Sequence, residues 1–163
     1  MGQRVISKKN GKKLKLLWGK VGFIVNLSQM IEYTLANILA FDELLREFKD
    51  RDSMFVFEYN EFANRSNEWY SKLSKGTLGY GIKRAKELKY FNDESEKFLT
   101  HICEERNFVM HSLFKEDLPL KYLESKPDFY FERLESLIMD MNYANEELNK
   151  IFKAQKEEFK LIW

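Results

Sequence analysis

Along the chain, apolar residues recur at intervals of three and four, the period of one face of an α-helix. From about Leu14 to Phe48 such a face is drawn by Leu17, Val21, Ile24, Ile31, Leu35 and Ile38. Gly19 and Gly22 weaken the start of this helix, so its firm part is expected to begin near them. Glu32 falls among the apolar neighbours, either as a buried functional carboxylate or at the edge of the stripe. Asp50 to Ser53 is a polar break. A second helix is expected over Phe55 to Leu73, with Phe62, Trp69 and Leu73 facing inward, and Ser74-Lys75-Gly76 ends it. Thr77 reads as the N-cap of a short third helix, Leu78 to Tyr90. Gly79 and Gly81 near its start allow close backbone approach, to another helix or to a ligand.

Asn92-Asp93-Glu94-Ser95-Glu96 is a helix start: Asn92 or Asp93 can cap, and acids favour the positive end of the helix dipole. The fourth helix carries Phe98, Leu99, Ile102, Val109 and Leu113. Leu118-Pro119 and Lys126-Pro127 frame an irregular connection. A last long helix from about Asp128 shows Phe131, Leu134, Ile138, Met141, Leu148 and Phe152 on one face. Strand-like alternation is confined to Met54 to Tyr59, and there is no internal repeat or low-complexity tract. The pattern predicts an all-α fold, a four- to five-helix bundle with short connections. It is read as a single domain over residues 1–163, with residues 1–16 as a basic N-terminal arm.

Composition agrees. Hydrophobic residues make up 44% and charged residues 33% of the 163, too apolar for a disordered chain. Pro occurs twice and Gly seven times, which suits long helices better than a many-turned sandwich. The net charge of +1 gives no whole-protein field that would select nucleic acid or reject it. The first twenty residues are locally basic, with Arg4, Lys8, Lys9, Lys12, Lys13, Lys15 and Lys20 and no acid. Such an arm can touch RNA or an anionic surface, or be a solvated tail. The single cysteine, Cys103, excludes an intramolecular disulfide and fits a reducing compartment. No apolar run approaches the roughly 18 residues needed to span a bilayer. No secretory signal is visible, and Ile6 stands where a myristoylation start needs Ser or Thr. A cytoplasmic protein without a membrane partner is expected.

Little conventional chemistry is available. There is no CxxC, HExxH, P-loop or GxSxG, and two histidines with one cysteine make a soft metal site hard to assemble. No metal or cofactor is therefore expected. What stands out is the run Glu105-Arg106-Asn107-Phe108-Val109-Met110-His111. Imidazole titrates near neutrality and can act as base or acid. Guanidinium carries a permanent charge and fits phosphate oxygens in two-pronged fashion. Five residues turn a helix by about 500°, so Arg106 and His111 point about 140° apart and form no compact site alone. The plain alternative is a satisfied helix histidine and an arginine paired with Glu105 or a neighbouring acid. His101 reads as structural or exposed, and Cys103 as a small buried residue. Tyr80, Tyr90 and Trp69 could stack on bases or belong to the core.

The Arg106 to His111 run resembles the RxxxxH signature of the HEPN family in its RNxxxH form. The surrounding layout is similar too: Thr77-Leu78-Gly79 with Ile82 and Lys86, an acidic helix start, then Glu105-Arg106-Asn107. An early long helix carrying Leu27-Ser28-Gln29-Met30-Ile31-Glu32 completes it. The likeness is architectural from about Leu17 onward and specific over Thr77 to Phe114. It implies a metal-independent endoribonuclease that dimerises to bring two motifs to one cleft. Arg106 and His111 would be the catalytic pair, with Asn107 ordering the site. It also implies a toxin or an abortive-infection, antiviral effector, with RNA as substrate and a possible antitoxin protein as partner. Family branches paired with a nucleotidyltransferase antitoxin often carry a Tyr two residues after the His; here that position is Leu113. The alternative is a non-catalytic HEPN-like module that binds RNA, a nucleotide or a protein partner.

Overall fold

The computed structural model describes residues 8–49, 59–113, 115 and 127–162. Among these residues five helices occur and no strand: α1 Lys8–Lys49, α2 Tyr59–Leu73, α3 Leu78–Glu87, α4 Asp93–His111 and α5 Pro127–Ile162. The expected all-α bundle is what forms. Residues 54–58 of the alternating stretch lie outside the described residues, and Tyr59 opens α2.

Helix α1 starts at Lys8, well before Leu14, and runs unbroken through Gly19 and Gly22 for 42 residues. Residues 8–16, read as part of a basic arm, therefore belong to α1. Length explains the tolerance: each Gly costs about 1 kcal/mol relative to Ala, while the packed face of α1 supplies far more. Leu17, Ile24, Ile31, Leu35 and Ile38 are buried as the spacing required, and Val21 packs partly buried beside them. Helix α5 lies along α1 and brings Leu134, Leu137, Met141, Ala144 and Leu148 to the same core.

Helices α3 and α4 close the core from the side. Thr77 caps α3, its Oγ1 accepting from the Tyr80 backbone N–H at 3.2 Å. Gly81 is the close approach: a Cβ there would stand 2.7 Å from Leu35 Cδ2 on α1. Gly79 faces open space. The third helix ends at Glu87 and not at Tyr90, because Lys89 turns left-handed at φ 63°. The Tyr90 N–H then bonds the Ala85 carbonyl at 3.0 Å and the Lys89 N–H bonds Lys86 at 2.8 Å, a Schellman stop. Tyr90 is thereby sent inward, where its hydroxyl donates to Asp42 at 2.7 Å and accepts from Gln155 at 2.8 Å. Burial first, then the Asp42 carboxylate, push the Tyr90 phenol above its ordinary range.

Asn92 is the residue that caps α4, accepting from the Ser95 N–H at 2.8 Å. Asp93, Glu94 and Glu96 fill its first turn. Leu99, Ile102 and Val109 then bury one side, which fixes the rotation of the whole helix and so the directions of Arg106 and His111.

Candidate functional site

Helix α4 is continuous from Asp93 to His111, so the motif stays on regular helical geometry. Burial of Ile102 and Val109 turns Arg106 toward α1. Its Nε donates to Ser28 Oγ at 2.9 Å and its Nη2 to Glu32 Oε1 at 2.6 Å. Its Nη1 donates to Asn107 Oδ1 at 3.0 Å. Ser28 is 1% exposed, whereas the Arg106 side chain keeps 20% and Glu32 36% of their surfaces. The guanidinium is thus anchored at a buried hydroxyl and open at its outer edge. Among the described residues three of its five N–H donors are taken, leaving two.

Asn107 is exposed, and its amide also reaches Cys103 Sγ at 3.8 Å. Burial pushes the Cys103 thiol up, with Arg106 opposing and Glu104 and Glu32 adding to the rise. Cys103 is therefore a half-buried thiol held protonated, not an activated nucleophile.

Glu105 turns the other way. Its carboxylate forms a two-pronged pair with Arg133 of α5, at 2.7 Å to Nε and 2.9 Å to Nη2. Hydrogen bonding to Arg133 holds the Glu105 carboxyl below its ordinary range, against the opposing effect of burial. The Arg133 guanidinium also lies 4.0 Å from the centre of the Phe108 ring. Glu105 thus ties α4 to α5, and Arg106 pairs across helices with Glu32 and not with the neighbouring acid.

His111 is the last residue of α4 and is exposed. No hydrogen bond joins it to Arg106. The structure therefore brings Arg106 and Asn107 together and adds Ser28 and Glu32 to them, while His111 stands apart on the same helix. His101 is exposed, as expected. Of the aromatic residues considered for stacking, Tyr80 is 51% exposed, Tyr90 is bonded inward, and the Trp69 indole donates to Glu47 at 2.9 Å.

The sequence reading missed the roles of Ser28 and Glu32, although a signal was present. Glu32 is the sole charged residue between Lys20 and Asp42, and Ser28 stands one helical turn before it on the same face. A lone charge in such a stretch calls for a partner.

Two clefts lie elsewhere. One, about 250 Å³, is lined by Tyr90, Phe98, Tyr143 and Glu147 among others. The other, about 370 Å³, is an open groove between α1 and α5. Neither contains Arg106 or His111. Among the described residues no group of three His, Cys, Asp or Glu side chains is placed to hold a metal ion. No described helix is long and apolar enough to cross a membrane. Compared with known proteins, the chain matches no family model, no curated protein and no solved structure.

Proposed function

We propose that the chain is a HEPN-type, metal-independent endoribonuclease in which Arg106, Asn107 and His111 serve RNA cleavage through 2′-OH attack. The observation that carries this reading is the mounting of Arg106. A buried serine and a half-exposed glutamate fix its guanidinium while two N–H donors stay open. An arginine meant to receive a phosphoryl group benefits from being positioned before the substrate arrives.

In the proposed reaction, one His111 imidazole takes the proton from a ribose 2′-OH. The 2′-oxygen attacks the adjacent phosphorus, and the Arg106 guanidinium compensates the charge gathering on the phosphorane oxygens. The P–O5′ bond breaks, and a second imidazole, protonated beforehand, gives its proton to the 5′-oxygen. The products are a 2′,3′-cyclic phosphate and a 5′-hydroxyl. One chain offers one such histidine, so a homodimer with a composite site supplies the pair. The role in a cell would be that of a cytoplasmic toxin or abortive-infection effector, held in check by an antitoxin protein. Purified protein should cut RNA with EDTA present, and His111→Ala should lower cutting by about 100-fold or more, the usual weight of a general acid–base residue. EDTA-sensitive cutting, or full activity in His111→Ala, overturns the reading.

A second reading is a non-catalytic HEPN-like module that binds RNA, a nucleotide or a protein partner. It is favoured by the charge balance at the site, where Glu32 already neutralises Arg106. It predicts binding that survives His111→Ala, with no cutting by the unaltered chain.

A further inference from the structure

The cleft of about 250 Å³ lies between the first half of α4 and the middle of α5. Counted from Phe98, it is about 12 Å along α4 from Arg106. Its place has a local cause. The left-handed stop at Lys89 turns Tyr90 and Phe91 inward as an end wall. On the inner face of α5, Ala144 supplies little bulk between Met141 and Leu148.

Burial sorts the lining side chains. Phe91, Leu99, Ala144 and Leu148 are buried and form the inner wall. Ser95, Phe98 and Glu147 are half-buried and Tyr143 is exposed, so these form the mouth. An apolar cavity of about 150 Å³ holds a benzene molecule, so this one has room for a ring and a short chain. The mouth is different in kind. The Phe98 and Tyr143 rings stand 5.8 Å apart at 76°, presenting two aromatic walls nearly at right angles. Among the described residues Glu147 is the one charged side chain in the lining. Its carboxylate meets Lys150 at 2.6 Å, but that lysine side chain is 71% exposed. A solvated pair three residues apart on one helix holds weakly and exchanges readily for another cation. Glu94 and Glu146, exposed and adjacent in sequence to Ser95 and Glu147, add negative charge near the opening.

We propose that this cleft binds a small arylalkylamine, with its ring inside and its ammonium group at the mouth. The ring packs on Leu99, Ala144 and Leu148, where apolar contact is available. The ammonium donates to the Glu147 carboxylate in place of Lys150 and lies against the Phe98 and Tyr143 rings, whose faces attract a cation. An anion of the same shape is repelled by Glu147. A neutral analogue fills the inner wall and forgoes the charge interaction. The site does not rest on the ribonuclease reading, because Arg106, Asn107 and His111 take no part in it.

Calorimetric titration of the full chain at pH 7 tests this with three probes of one shape: 2-phenylethylamine, 2-phenylethanol and phenylacetate. The amine carries its charge at that pH. It should bind with a Kd of about 1 mM or tighter, as expected for a ligand of so few atoms. The alcohol should bind at least about five-fold more weakly, and phenylacetate more weakly still. Glu147→Gln should bring the amine down to the level of the alcohol, and Glu147→Lys should reverse the order of amine and phenylacetate. Addition of the amine should shift the methyl resonances of Leu99 and Leu148, which marks the ring as inside the cleft. No binding of the amine at about 10 mM overturns the proposal. So does equal affinity for amine and alcohol, a preference that Glu147→Gln leaves intact, or binding that moves neither leucine.

Discussion

Arg106 of α4 and Glu32 of α1, 74 positions apart in sequence, meet at 2.6 Å between Nη2 and Oε1, with Ser28 Oγ holding the Nε of the same guanidinium. This contact converts a motif on one helix into a site built from two. Ser28→Ala should cost about 1 kcal/mol, the usual net worth of one hydrogen bond, and Glu32→Gln less, since that pair is partly solvated. Urea unfolding midpoints check both. On the ribonuclease reading each variant should also slow RNA cutting by roughly ten-fold through loss of guanidinium orientation, a disproportion that stability alone does not give.

The Glu105–Arg133 pair carries a pH signature. Its folded carboxyl pKa lies below the ordinary value of 4.5, chiefly through hydrogen bonding to Arg133. A depressed acid contributes stability that is present above its unfolded pKa and is lost as pH falls through its folded pKa. The unaltered chain should therefore lose roughly 1–2 kcal/mol from this pair as pH drops from 5 toward 3. Glu105→Gln should be less stable at pH 7 and show a flatter acid limb. Urea titrations at a series of pH values measure this.

How much of this was legible in the sequence depends on the distance between the groups involved. The apolar period placed α1, α4 and α5 because each buries one long stripe, and the Thr77 and Asn92 caps were readable because capping is decided within three residues. The end of α3 was not. Nothing in Leu88-Lys89-Tyr90 signals a left-handed residue, since Lys takes that conformation only when surrounding packing demands it. Arg106 and His111 were singled out from their spacing, and the helix geometry correctly foretold that they would diverge. The actual partner of Arg106, Glu32, stood in neither reading, the catalytic one or the plain alternative of a neighbouring acid, because cross-helix pairing depends on the mutual rotation of α1 and α4, which no local pattern encodes. Residues 118–126 of the expected irregular connection lie outside the described residues.

The two glycines of α3 should respond to alanine with opposite signs. Gly79→Ala meets open space and should stabilise the chain by about 0.5–1 kcal/mol through helix propensity. Gly81→Ala gains the same propensity but drives a methyl to 2.7 Å from Leu35, which is 2% exposed and walled in by the core. Overpacking there should outweigh the gain and leave a net loss of about 1 kcal/mol or more. Thermal midpoints of the two variants report the difference.

Lys89 occupies the left-handed position of the stop after α3 at φ 63°. Lys89→Gly removes that strain and should raise stability by about 0.5–1 kcal/mol, visible as a higher thermal midpoint. RNA cutting should not change, because the residue lies at the opposite end of α4 from His111.

In the proposed function Arg106, Asn107 and His111 cleave RNA by 2′-OH attack without metal. The most direct measurement incubates the purified chain, in excess EDTA, with an end-labelled RNA and with the same strand carrying 2′-O-methyl groups, and identifies the new ends. The RNA alone should be cut, leaving 2′,3′-cyclic phosphate and 5′-hydroxyl ends. Cutting of both strands, 5′-phosphate ends, or no cutting of either strand would contradict it.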